Sequence, residues 1–254
     1  MVVVRVLGGN GSGPDLAVQI AGRSPGSAEP PVLLVHGMGG DHTTWRRLSG
    51  TLTAAGREVI AVDLRGHGRS GRAQRYRLND FRDDLATVLD GLDLDRVDVV
   101  GHSLGAHSAL RLAMTQPERV RRLLVEEPPP MPRDAADLAE AITPTSTLAG
   151  RIRGLAMLAA DPRPFLRFDR SMPEVVGVQF EQADPHWWDG LQAVPAPTLV
   201  ISGGDRSFLP PRHLRSLSEA LPRGEFATID AGHSVHRDRP REFLAAATAH
   251  LTAP

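Results

Sequence analysis

Short apolar, β-branched runs recur along the chain, separated by segments of helical spacing. Val2–Leu7 and Leu16–Ala21 flank Gly8-Gly9-Asn10-Gly11, which reads as strand, turn, strand. The runs Val32–Val35, Val59–Val62, Val97–Val100, Leu123–Val125, Thr198–Ile201 and Phe226–Ile229 follow. These are nearly continuous in apolar residues, the pattern of strands covered on both faces. Between them, Phe81, Leu85, Val88, Leu89 and Leu92 share one helical face, with Asn79 or Asp80 available as its cap. Leu104 to Met114 continues as a second helix. Arg241 to Leu251 closes the chain as a third, with Pro240 near its first turn. Strands alternating with helices predict a mostly parallel, doubly wound α/β sheet with helices on both faces.

The alternation breaks between Pro128 and about Gly190. That stretch is rich in proline and helix-like pieces and is too long for a connection within a sheet. It carries Met131, Met157, Phe165, Phe168, Met172, Phe180, Trp187 and Trp188. The reading is a helical cap spanning 129–190, inserted into a core formed by 1–128 and 191–254. Singly, each of these apolar residues is expected to pack in a small core of the cap's own. Together they suggest the wall of a mainly apolar pocket, with Trp187 and Trp188 the residues expected to line it.

Composition narrows the chemistry. The 254 residues suffice to bury a large core without staples. Cysteine is absent, so there is no disulfide framework, thiolate metal site or cysteine nucleophile. All 29 basic residues are arginine, which excludes Schiff-base and serine–lysine mechanisms. A formal net charge of -1 argues against a nucleic-acid partner. The first residues lack the pattern of a signal peptide, and no apolar run reaches membrane-spanning length. A cytoplasmic protein without a membrane partner is expected. The histidines not claimed below are scattered, so no metal is expected, and no cofactor is called for.

Gly101-His102-Ser103-Leu104-Gly105 follows the run Val97–Val100 and precedes a helix. This is the G-x-S-x-G elbow in its strand–turn–helix setting. The sharp turn leaves no room for flanking side chains, hence the glycines, and it lifts the Ser103 hydroxyl above the sheet edge. It also aims the Leu104 N–H and the helix N-terminus at a developing oxyanion. After Val32–Val35 comes His36-Gly37-Met38-Gly39-Gly40, a loop able to offer the Met38 N–H as second donor, with Gly37 at the substrate's edge. His36 is expected to brace nearby backbone. Asp230-Ala231-Gly232-His233-Ser234-Val235-His236 follows the last strand. His233 is the expected base, because Gly232 lets the loop turn its neighbour towards the serine. His236 is the competitor, with a loop-bracing role otherwise.

These motifs, together with Asp63-Leu64-Arg65-Gly66-His67-Gly68-Arg69-Ser70, resemble the α/β-hydrolase superfamily over nearly the whole chain except the cap. The resemblance implies an eight-stranded sheet and a serine–histidine–acid triad with substrate selection by the cap. It is specific for the machinery and poor for the substrate, since the fold hosts many chemistries. A serine at position 103 argues against the branches that use a carboxylate nucleophile.

The acid departs from the family's usual pattern. After Thr198–Ile201, counting from Gly203 puts Arg206 at the acid position, and counting from Gly204 puts Ser207 there. Asp205 stands one residue early. The alternative is the end of the preceding strand, where Glu126 and Glu127 stand. A subset of the family, hydrolases similar to the zearalenone lactonase, carries a glutamate there. Its offset from the serine resembles that of Glu127 from Ser103. Only one of two adjacent residues should face the site. Glu127 is favoured, with Asp205 and Glu126 left open.

The reading is a serine hydrolase of an apolar small-molecule ester or lactone, acting through an acyl-enzyme. A carbon–carbon bond hydrolase, lyase or cyclase on the same triad is the first alternative, and a slow-turnover small-molecule receptor the second. A homodimer is left open.

Overall fold

The computed structural model describes residues 3–7, 13–22, 29–140 and 166–253. The Gly8–Gly11 turn, Met157 and Phe165 lie outside the described residues. Eight strands form one sheet: β1 (Val3–Leu7), β2 (Leu16–Ala21), β3 (Val32–Val35), β4 (Val59–Val62), β5 (Val97–His102), β6 (Val120–Glu126), β7 (Thr198–Ser202) and β8 (Gly224–Thr228). Their spatial order is β1-β2-β4-β3-β5-β6-β7-β8. Strand β2 runs antiparallel to β1 and β4, and the other pairs are parallel.

Strand β3 explains why the apolar runs are continuous. Leu33 and Val35 pack into the core on one face, Val32 and Leu34 into the core on the other, and all four are fully buried. Helices α1 (Arg46–Ala54) and α9 (Pro240–Thr252) supply Leu48, Leu52, Phe243 and Leu251 to one core. Helices α2 (Leu78–Gly91), α3 (Leu104–Thr115) and α7 (Pro211–Ala220) supply Leu85, Leu110 and Leu214 to the other. The cap of helix α2 differs from expectation. Arg77 takes the cap position, and Asp80 reaches back from the first turn to accept its N–H at 3.1 Å.

Between β6 and β7 stand α4 (Ala135–Ala139), α5 (Met172–Phe180) and α6 (Pro185–Gly190). Met131, Phe168, Met172, Val176 and Trp187 from this stretch belong to the same core as α2 and α3. The expected separate core of the cap is therefore replaced, among the described residues, by an extension of the main one.

The chain leaves β3 for β4 on one side, while β5 leads to β6 on the other, so the order reverses between β3 and β5. Ligands of open α/β sheets bind where the order reverses, beyond the strand carboxyl ends. Strand β5 is also pinned at its start. Asp98, fully buried, accepts from Arg57 at 2.6 Å and from Arg121 of β6 at 2.7 and 2.8 Å. Replacing Asp98 with alanine leaves two arginines without their shared carboxylate. The expected cost is roughly 3–5 kcal/mol, read from the urea midpoint; a loss below about 1 kcal/mol would show that water replaces the carboxylate.

Candidate active site

Ser103 sits one residue past the end of β5 with φ of 52° and begins α3. The left-handed backbone costs energy for a residue with a side chain and persists only where the surroundings enforce it. Here close packing enforces it. A Cβ on Gly101 would meet the Ala106 Cα at 2.6 Å, and one on Gly105 would meet the Val35 and His36 carbonyl oxygens at 2.4 Å. The two glycines of the elbow thus let α3 press against β3 and β5.

The Ser103 hydroxyl lies 2.9 Å from the His233 Nε2, and His233 Nδ1 lies 3.0 Å from a Glu127 carboxylate oxygen. A carboxylate beside Nδ1 fixes the tautomer with its proton there, which leaves Nε2 free to accept from the serine. Glu127 is fully buried, also has φ of 52°, and stands one residue past the end of β6. Its carboxylate accepts from the Gly203 N–H at 2.5 Å and from the Ser207 hydroxyl as well as facing His233. Ser207, which one count puts at the family's usual acid position, is thus a donor to the carboxylate on the neighbouring strand. Asp205 is exposed in a short 3-10 turn.

Glu126 faces away from that trio. It accepts from the His236 N–H at 3.0 Å and from the His236 ring at 2.7 Å, and both side chains are buried. Burial opposes ionisation of Glu126, but the neighbouring imidazoles and these hydrogen bonds outweigh it and hold the carboxyl at about 2. His236 reaches Thr44 with its other nitrogen at 3.2 Å. His102, cross-strand partner of Glu126, contacts the His233 carbonyl oxygen at 2.7 Å through Nε2. The loop carrying His233 is therefore anchored twice, by the residue before the serine and by the residue before the acid. These roles were missed in the sequence because they need the cross-strand register. The signal was the adjacency of His102 and Glu126 to the two expected site residues. Ligand-type atoms of His102, Glu126 and His236 lie within 4.8 Å of one another. His236 engages both of its nitrogens, and His102 its Nε2, with protein partners.

The loop after β3 lies against the serine. A Cβ on Gly37 would sit 3.1 Å from the Ser103 Cβ and 2.5 Å from the His102 ring, so only glycine allows the approach. His36 braces backbone as expected, with its ring between the Gly37 carbonyl and the Leu64 N–H. His67 accepts from the Gly39 N–H at 3.0 Å and bonds the Arg65 carbonyl with its other nitrogen. The Asp63–Ser70 motif thus serves as the brace of the Met38 loop. Phe208, not foreseen, covers the ring of His233 at a centroid distance of 4.3 Å.

Trp187 and Trp188 both make specific packing contacts. Trp187 is buried and stacks on His107 of α3 at 5.2 Å, with its ring edge towards Trp188. Trp188 donates its indole N–H to the Met131 carbonyl, and Arg133 lies over its ring. Both pack the stretch between β6 and β7 against α3, where His107 offers a flat buried partner.

A sequence model of the alpha/beta hydrolase family matches residues 32–247. The chain belongs to the alpha/beta hydrolase family. Among curated relatives, it is 27% identical to the mouse (Mus musculus) sn-1-specific diacylglycerol lipase ABHD11, over 87% of this chain and 81% of that protein. It is 30% identical to the 2-hydroxymuconate semialdehyde hydrolase of Pseudomonas sp. (strain CF600), over 80% of each chain. Among solved structures, the enol-lactonase from Burkholderia xenovorans LB400 superposes with a TM-score of 0.81 at 21% identity, covering 98% of this chain and 100% of that one. Within this family, the present chain combines a strand-end glutamate on β6 with a serine at position 207.

Two outcomes follow from this geometry. Glu127→Gln should cost on the order of 10⁴ in turnover by analogy with loss of a triad acid, whereas Asp205→Asn should leave it unchanged. In a Glu127→Ala background, adding Ser207→Asp should restore part of the expected loss, since position 207 already touches the same carboxylate. Steady-state kinetics of the four variants checks both, and no recovery in the double variant would mean that the β7 loop cannot present an acid to His233.

Acid stability carries a second signature. Burial pushes the His102 and His67 imidazoles down to about 3, His107 well below its ordinary value, and His36 downward. The unfolded chain takes up protons at these four sites below about pH 6.5 while the fold does not. Stability is therefore full above that pH and falls as pH drops towards 3. His42, raised by its hydrogen bond to Asp63, acts in the opposite sense. Each lowered histidine contributes up to about 1.4 kcal/mol per pH unit, so the urea midpoint should fall steadily between pH 7 and 5; a flat profile would contradict the burial of these rings.

Proposed function

We propose that the chain is a serine hydrolase that cleaves an ester or lactone of a mainly apolar small molecule. The observation that carries this reading is the hydrogen-bonded line from the Ser103 hydroxyl through His233 to Glu127. The names of the lipase and enol-lactonase relatives support the substrate class. Among the described residues no helix is long and apolar enough to cross a membrane.

In the proposed reaction the Ser103 oxygen attacks the carbonyl carbon while His233 Nε2 takes the hydroxyl proton. Glu127 stays ionised and stabilises the imidazolium that forms. The Met38 and Leu104 N–H groups, on the loop beside the serine and at the start of α3, receive the charge on the carbonyl oxygen. Donors of this kind are each worth about 10²–10³ in turnover. The tetrahedral intermediate collapses, the bond to the alkoxy oxygen breaks, and His233 returns the proton to that oxygen. Water, deprotonated by His233, then attacks the acyl-enzyme and frees the serine. Gly37 lets its loop lie close beside Ser103, and Phe208 offers the acyl or alcohol part an apolar surface against the base.

A second reading is hydrolysis at a carbonyl that is not an ester. It is favoured by the relative named 2-hydroxymuconate semialdehyde hydrolase. Product analysis separates the two, because ester cleavage yields an alcohol and an acid.

The deciding measurement is labelling with a fluorophosphonate probe followed by peptide mapping, alongside turnover of short-chain aryl esters and lactones. Label on Ser103, with loss of both label and turnover in Ser103→Ala, is the expected result. Full turnover in Ser103→Ala would defeat the reading.

A further inference from the structure

The line from Ser103 through His233 to Glu127 has a counterpart one residue earlier on β6. Glu126 accepts from Nδ1 of His236 at 2.7 Å, and Nε2 of His236 lies 3.2 Å from the Thr44 hydroxyl. The carboxylate holds a proton on Nδ1, which leaves Nε2 as the acceptor and makes the Thr44 hydroxyl its donor. The order hydroxyl, imidazole, carboxylate is thus repeated. The second line is held from more sides than the first. Glu126 and His236 are both buried, and the Glu126 carboxylate also accepts the His236 N–H at 3.0 Å. Trp45 and Phe243 pack the His236 ring at centroid distances of 4.5 and 5.9 Å.

His102 stands between the two lines. Its ring centroid is 5.0 Å from that of His233 and 5.0 Å from that of His236, and its backbone pairs with Glu126 across β5 and β6. Its Nε2 lies 2.7 Å from the His233 carbonyl oxygen. A carbonyl only accepts, so Nε2 carries the proton and Nδ1 carries none. Burial lowers this imidazole to about 3, which keeps a second proton off the ring. Nδ1 lies against Gly37, where a Cβ would come within 2.5 Å of it. One neutral ring therefore touches the loop after β3, the loop that carries His233, and the second imidazole.

We propose that His102 is a positioning residue for His233. Its Nε2–H fixes the His233 carbonyl against the rigid Glu126–His236 pair, and so keeps the His233 ring in line between Ser103 and Glu127. This role rests on the reading of Ser103 as nucleophile and His233 as its base. The His233 side chain is 25% exposed, and Phe208 covers one face of its ring. Packing therefore holds that ring less firmly than it holds His236. Both of its nitrogens must nonetheless keep their distances, 2.9 Å to the hydroxyl and 3.0 Å to the carboxylate. A displacement of about 1 Å at such a group costs on the order of 10²-fold in rate. His102 touches no reacting atom and acts through one main-chain carbonyl.

His102→Met and His102→Gln test this, because the two new side chains are equal in length and only glutamine offers an N–H. The rate at which a fluorophosphonate labels Ser103, followed against probe concentration on the whole protein, separates the limiting rate from the half-saturating concentration. In His102→Met the limiting rate should fall by about 10–10²-fold, with the half-saturating concentration unchanged. His102→Gln should recover most of that loss, which a role confined to packing would not produce. Glu126→Ala, which strips His236 of its partner, should behave like His102→Met, and Glu126→Gln, which keeps an acceptor, should label faster than Glu126→Ala. The two His102 variants leave the second line whole and decide the matter if Glu126→Ala does not fold. An undiminished limiting rate in His102→Met, or equal rates in His102→Met and His102→Gln, would overturn the role of His102 alone. Absence of label from Ser103 in the unsubstituted protein would overturn the functional reading and this role with it.

Discussion

The crowding of strand ends governs this molecule. Strands β3, β5 and β6 stop side by side, and the chain must leave each within a residue or two. At β5 the exit is taken by Ser103 and at β6 by Glu127, both with φ of 52°. The same device, repeated on adjacent strands, throws a hydroxyl and a carboxylate out on the same side of the sheet. The glycines at 37, 101, 105 and 203 are what the device requires of its surroundings. A Cβ at Gly203, for example, would lie 2.0 Å from the Gly232 carbonyl oxygen. That contact seats the β7 loop against the loop that carries His233, and Gly232 completes the bend with φ of 96°.

Two glutamates in succession then serve two imidazoles. Glu127 turns to His233 and Glu126 to His236, so each buried carboxylate has its own partner and its own hydrogen bonds. A buried charge is tolerated only when paired and hydrogen-bonded in this way. The pairing with His236 also stiffens the support of His233. The chain reaches this economy because residues that follow each other at a strand end face opposite ways.

Much of this was legible in the sequence for a simple reason. Continuous apolar runs report burial on both faces, and the elbow and Gly232-His233 are local patterns whose physics is contained in five residues or fewer. The acid was not local. Choosing among Glu126, Glu127 and Asp205 requires knowing how far the chain has travelled past β6 when it turns, and whether the β7 loop comes within reach. The structure puts Ser207 in that gap, where a hydroxyl donates to the carboxylate instead of a carboxylate replacing it. The surroundings of tryptophans 187 and 188 were not local either. Apolar residues in an insertion read alike whatever they face, and the sequence holds no sign that Trp187 stacks on His107.

The core shared by the segment between β6 and β7 and the rest of the chain has a consequence for exchange of segments. Because Phe168, Met172 and Trp187 are packed into the same apolar mass as the helix that starts at Ser103, this insertion is not an interchangeable module. A graft of another relative's cap would have to bring along compatible neighbours at His107 and Phe180, whose rings meet edge to face.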